Sequence, residues 1–277
     1  MRYPILIAAL CSLFSVANAE DNADARNPLE AKVIVDAGWF LMSTDMRVRV
    51  DGENTSEQGS DVKFDDTFGI GDFDRFRADV MWRFSSRHSI RAMYFQNNRS
   101  ASKSITRDVT FRDETFPVGA TVNAQSDLTI AQLSYDYAFV RRPTYEIAGG
   151  IGVHYVDMKL GLNATVTAQG ATGTRTLDQS ATTSAPLPVL GLRGIWKLPH
   201  NLYLTGQAQY FYVQLDPYEG SLLDLKASFV WQLSDHVGVG VAYDDFAFRF
   251  DITDRPKFDG SLRWDYGGTV AFVSVMF

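Results

Sequence analysis

Ten segments of this 277-residue chain place apolar and polar residues at alternate positions, and the stretches joining them alternate short with long. A period of two marks a β-strand with one face in an apolar surrounding. The segments lie near 31–44, 73–84, 88–100, 127–140, 145–160, 186–197, 201–214, 221–233, 236–250 and 262–277. Short connections fall at Ser85-Ser86-Arg87, Arg141-Arg142-Pro143-Thr144, Pro199-His200 and Ser234-Asp235. The polar stretches 45–72, 101–126, 161–185, 215–220 and 251–261 are longer, the fourth only slightly. A soluble sandwich has no reason to put every short turn at one end. An up-and-down membrane barrel does so, with an even strand number that returns both ends of the chain to one side.

The ends agree with that reading. Met1-Arg2-Tyr3, an apolar run from Pro4 to Val16, and Ala17-Asn18-Ala19 have the form of a secretory signal peptide cleaved before Glu20. Cys11 lies too early, after Leu10, for lipidation, so the mature chain is expected to lack cysteine, disulfides and thiolate chemistry. The expected division is 1–19 signal peptide, 20–30 a short periplasmic segment, and 31–277 the barrel. The final strand sets Ala271, Val273, Val275 and Phe277 on one face, and a terminal Phe resembles the signal that outer-membrane barrels present to their assembly machinery. Beyond residue 20 no 18 consecutive residues are apolar, so no helix is expected to span a bilayer. A net charge of −7 argues against nucleic acid as a partner.

Each strand then divides into two faces. On 73–84, Phe76, Ala78, Val80, Trp82 and Phe84 oppose Arg77, Asp79 and Arg83. On 221–233, Leu223, Leu225, Ala227, Phe229, Trp231 and Leu233 oppose Asp224, Lys226, Ser228 and Gln232. Lipid requires the apolar face, and an enclosed lumen tolerates the polar one. Trp82, Phe139, Trp196 and Trp231 precede the short turns and form one expected interfacial belt; Tyr94, Tyr155, Tyr210 and Tyr243 form the other. The lumen is expected to hold Asp36, Arg77, Asp79, Arg83, Arg91, Asp136, Glu146, Arg193, Asp224 and Lys226, five acids and five bases. A balanced set points to a salt-bridged plug, with a narrow polar conduit as the alternative. Two places break the alternation, Asp244-Asp245-Phe246 and the pair Ile130 and Leu133; each reads as a bulge or as strand continuing above the membrane.

Chemistry is sparse. His88, His200 and His236 lie beside short turns, and His154 is the one histidine within a strand. Position 156 is Val where an outer-membrane deacylase would carry Ser, and no Asp-x-His motif supports an omptin-like protease. Asp244 and Asp245 would approach His154 only if the fifth and ninth strands faced each other. No catalytic residue is assigned. Asp61, Asp65, Asp66 and Asp72 lack the ordered spacing of a calcium loop, so neither a metal nor a cofactor is expected.

Asp65-Asp66-Thr67-Phe68-Gly69 before the second strand and Arg87-His88-Ser89-Ile90 opening the third resemble a pattern of uncharacterised proteobacterial barrels. The whole mature chain is similar to small Gram-negative outer-membrane barrels, broadly the OmpA-like and OmpW-like proteins. The resemblance implies an all-β, closed, antiparallel barrel, lipid and lipopolysaccharide around it, and the barrel assembly machinery as a partner. It transfers no catalytic residue. The leading expectation is a non-enzymatic protein whose loops, with Phe111, Phe116 and Pro117, meet an extracellular ligand or support the envelope. The alternatives are a narrow channel or lateral path for small or apolar solutes, and a hydrolase centred on His154.

Overall fold

A computed structural model describes residues 27–51, 59–69, 73–167, 174–215, 218–252 and 260–277. Ten long antiparallel strands close into a barrel. In chain order these are β1 (Val33–Val50), β3 (Phe73–Ser85), β4 (His88–Ser104), β7 (Thr121–Arg141), β8 (Tyr145–Thr167), β9 (Thr174–Leu198), β10 (Leu202–Leu215), β11 (Tyr218–Gln232), β12 (Val237–Ile252) and β13 (Gly260–Met276). Closure comes from β1 pairing with β13, from Ile34 opposite Met276 up to Val50 opposite Gly260. A closed wall has no open edge, which is what hydrocarbon demands of backbone donors and acceptors. Smaller elements sit at the far end from the short turns: β2 (Val62–Lys63), helix α1 (Phe64–Phe68), and the hairpin β5 (Val109–Phe111) with β6 (Glu114–Phe116).

The outer surface is apolar over a band next to the short turns. Trp39, Leu41, Ile151, Leu190, Leu192, Leu204 and Val241 all stand exposed there. Such a surface is stable only against lipid, so this band is the membrane-spanning part, and the chain is an integral outer-membrane barrel. The start of β1 and the end of β13 both lie on the short-turn side.

Above that band the strands keep going. Spanning takes about 10 residues per strand, whereas β8 and β9 run for 23 and 25. The stretches 101–126 and 161–185, expected as loops, are therefore largely strand and hairpin. Here the polarity of the two faces inverts: Asp45, Arg47, Arg249 and Arg263 point outward, while Met46, Phe248 and Trp264 point in. This inversion resolves the two breaks in alternation. Ile130 is buried inside and Leu133 faces lipid on a regular stretch of β7; Asp244 and Phe246 both point inward on β12. Neither place is a bulge, and the strand-continuation alternative holds. The register shifts fall instead at Phe84 and Phe139, each beside a short turn.

The interior is layered. From the short-turn end upward come a turn of residues 27–31, a charged zone, an apolar zone around Phe40, Phe95, Ile130 and Phe246, and a cap. In the cap α1 contributes Phe64 and Phe68, and the β5–β6 hairpin contributes Val109, Phe111 and Phe116, all buried. Phe111 and Phe116, expected on an exposed binding loop, are part of the core. Pro117 and Val118 remain at the surface.

Candidate functional site in the lumen

The charged zone arises because inward positions of neighbouring strands fall in register. Its lower cluster lies near the short turns. Arg83 Nη1 donates to Glu146 Oε2 at 2.6 Å, and Arg193 Nη2 donates to Glu146 Oε1 at 2.8 Å. Arg91 Nε donates to Asp136 Oδ2 at 2.5 Å, and another of its guanidinium nitrogens donates to Gln207. Four strands, β3, β4, β7 and β8, are thus joined with β9 through two carboxylates.

The upper cluster crosses the lumen. Arg77 Nε donates to Asp79 Oδ2 at 3.0 Å and Arg77 Nη1 to Asp244 Oδ2 at 2.6 Å. Lys226 Nζ donates to Asp79 Oδ1 at 3.0 Å. Arg77 and Asp244 are almost wholly buried, at 3% and 0% exposure. Arg77 also lies 5.7 Å over the ring of Phe40, where charged and apolar zones meet. Asp36 faces inward between Ser274 and Asp79 on its two neighbouring strands.

The structure places all ten of the expected lumen residues on the inner wall, and Asp244 makes an eleventh. The count becomes six carboxylates against five cations. Asp244 was hidden because Asp245 follows it outward and Phe246 follows inward, so the local text reads as a broken pattern. The period-2 phase of Ala242 to Phe248 was the signal that could have found it.

His154 lies in the same zone. Its Nε2 is 2.7 Å from Gln209 Oε1 and 3.8 Å from Asp224 Oδ2, and its ring stacks on Phe246 across the barrel at 6.3 Å. The fifth and ninth barrel strands therefore do face each other, and Asp244 is close to this group, but Asp245 points out of the barrel. His154 has 0% exposure and packs against Phe246 of the apolar zone. Gln209 Nε2 and Gln132 Nε2 both donate to Ser134 Oγ at 3.1 Å, extending the polar network around His154.

The expected belt residues stand on the outer wall. Trp82, Phe139, Trp196 and Trp231 lie beside the short turns, and Tyr94, Tyr155, Tyr210 and Tyr243 lie toward the other end, all exposed. Phe277 closes the barrel bottom: its N–H donates to Val33 O, its carbonyl accepts from Lys32 and Val33, and its ring meets His236 edge-on at 5.6 Å. In the first loop Asp65 accepts from Met46 N at 2.5 Å, and Asp72 lies outside the described residues. Burial pushes the Asp65 carboxyl up to about 7. Among the described residues no group of His, Cys, Asp and Glu is arranged to hold a metal. The expected signal peptide and residues 20–26 also lie outside the described residues.

No protein-family profile and no curated protein matches the chain. Solved outer-membrane barrels are similar to it only distantly. The Ralstonia pickettii toluene transporter TbuX is 10% identical with a TM-score of 0.38, each chain covered over 90% of its length. The attachment invasion locus protein Ail of Yersinia pestis is 9% identical with a TM-score of 0.32, covering 88% of this chain and 99% of that one. A Pseudomonas aeruginosa FadL homologue is 8% identical at a TM-score of 0.34, covering 89% and 90%. Likenesses this remote assign no ligand.

Proposed function

We propose that this protein is a sealed, non-enzymatic barrel that carries a rigid rim of extended strands above the outer membrane and serves surface contact or envelope integrity. The observation that supports it is the filling of the lumen: the 27–31 turn, ion pairs, apolar zone and aromatic cap follow one another along it. A barrel of this size can have its interior filled by side chains, and residues held on a rigid scaffold are well placed to bind. The partners this reading implies are lipid, lipopolysaccharide, the assembly machinery and an extracellular ligand met by the rim. The burial of His154 supports the non-enzymatic part. Liposome swelling is the test. Vesicles bearing folded protein should swell in small sugars no faster than bare vesicles; faster swelling would overturn the sealed reading.

A second reading, a lateral path for apolar molecules, is favoured by one feature of the wall. Pairing of β9 with β10 ends at Leu190 opposite Tyr210, although both strands continue. Pro186 and Pro188 lie just beyond, and each lacks the N–H that a ladder needs. Because β9 pairs with β8 throughout this stretch, the missing donors face β10. An apolar groove lined by Leu133, Ile151, Pro188, Leu190, Tyr210 and Tyr212 lies on the outer wall at this seam.

A further inference from the structure

Between the lower and upper charged clusters lies a cavity of about 110 Å³. Its walls mix Asp36, Thr205, Gln207, Lys226, Ser228 and Ser274 with an apolar floor that includes Pro28 and Met276. Two buried polar atoms of its lining residues have no hydrogen-bond partner among the described residues, Asp36 Oδ1 and Arg193 Nε, the latter 3.6 Å from Asp136. A space of this size lined by polar groups has room for several waters, and unsatisfied buried polar atoms demand them.

On its periplasmic side this space is bordered by Pro28, which belongs to a short piece of chain that is not part of the wall. Residues 27–31 form a turn in which Leu29 N–H donates to Asn27 Oδ1, and the N–H groups of Glu30 and Ala31 donate to Asn27 O. Leu29 is fully buried and Ala31 nearly so. The turn is held by two arginines from the wall. Arg141 Nη2 donates to Leu29 O at 2.6 Å and to Glu30 Oε2 at 2.8 Å, and Arg83 Nε donates to Ala31 O at 3.4 Å. A segment tied by side chains to backbone carbonyls, outside any ladder, can leave without unpairing a strand.

We propose that residues 27–31 are a removable stopper, and that behind it lies a solvated polar chamber reached from the periplasm when Arg141 releases Leu29. The chamber is a site for water and for small solutes bearing a charged group, since Asp36 and Lys226 both line it with opposite charge. It ends at the Arg77–Asp244 layer, so opening the stopper gives access without making a pore.

Thiol labelling is a clean probe here, because Cys11 is the only cysteine of the sequence and Cys11→Ser removes it. On that background Ser228→Cys places a thiol in the chamber, and Val118→Cys gives an exposed reference. The folded protein in liposomes is treated with a small charged methanethiosulfonate. With the stopper intact, the thiol at position 228 should react far more slowly than the one at position 118. Adding Arg141→Ala removes both of its hydrogen bonds to the turn and should speed only the chamber thiol, by about tenfold. Equal rates with and without Arg141, or a chamber thiol as fast as the exposed reference in the intact protein, would overturn the proposal. If Ser228→Cys does not fold, Ser274→Cys answers the same question.

Discussion

Arg77 on β3 and Asp244 on β12 meet across the lumen at 2.6 Å, both almost without solvent contact. This pair ties two strands that share no ladder, at the level where the charged zone gives way to the apolar one. Removing Asp244 leaves the buried Arg77 short of one of its two carboxylates, with Asp79 alone to compensate it. Asp244→Ala should therefore cost about 3–5 kcal/mol, read as a shift in the urea midpoint of the refolded barrel. The double variant Arg77→Met/Asp244→Leu should recover part of that loss, because the cross-lumen pair is replaced by apolar groups while Asp79 keeps Lys226 as its partner. Equal destabilisation by single and double variants would show that the pair is not coupled.

The aromatic cap makes a second prediction. Phe116 has 0% exposure although it comes from a hairpin outside the main sheet. Phe116→Ala should cost about 3–5 kcal/mol, with faster amide exchange across residues 105–120. Val118→Asp, two positions on and at the surface, should change stability by about 0.5 kcal/mol or less. Equal effects from the two would mean that the hairpin does not cap the core.

Much of this architecture was legible in the sequence, and the reasons are local. A Trp two or three residues before a turn, as at Trp82 and Trp231, marks a membrane edge without any knowledge of the fold. The inward charges of the lower half were readable because lipid enforces strict alternation on the opposite face. Above the membrane that constraint disappears, so the inverted pattern at Met46, Ile130 and Phe248 reads as noise. The cap was hidden for another reason: Phe111 and Phe116 sit among polar residues, and only tertiary contact shows that a loop folds back over an opening. Leu29 was obscured in the same way.

Asp65 gives a pH prediction outside the membrane. Its carboxyl is pushed up from 3.8 to about 7, first by burial, with Asp45 and Asp66 adding to the rise and the Met46 N–H opposing it. A raised folded-state value means that stability is fully present below the unfolded value and is lost as pH rises through about 7. The midpoint of thermal unfolding should therefore fall between pH 4 and pH 7 more steeply in the wild type than in Asp65→Asn. Parallel curves for the two proteins would contradict this.

The seam beside Pro186 and Pro188 is testable by restoring its donors. Pro186→Val/Pro188→Val should extend β9–β10 pairing past Leu190, seen as new slow-exchanging amides at residues 186–188 and 211–214. Unchanged exchange at these positions would mean that the prolines do not set where the ladder ends.

The central claim is that the lumen is closed, and the most direct test is single-channel recording of the refolded protein in a planar bilayer. The filled interior predicts no steady conductance from demonstrably folded protein. Reproducible current steps, altered in size by Arg77→Ala, would contradict it and make the ion-pair zone the lining of a pore.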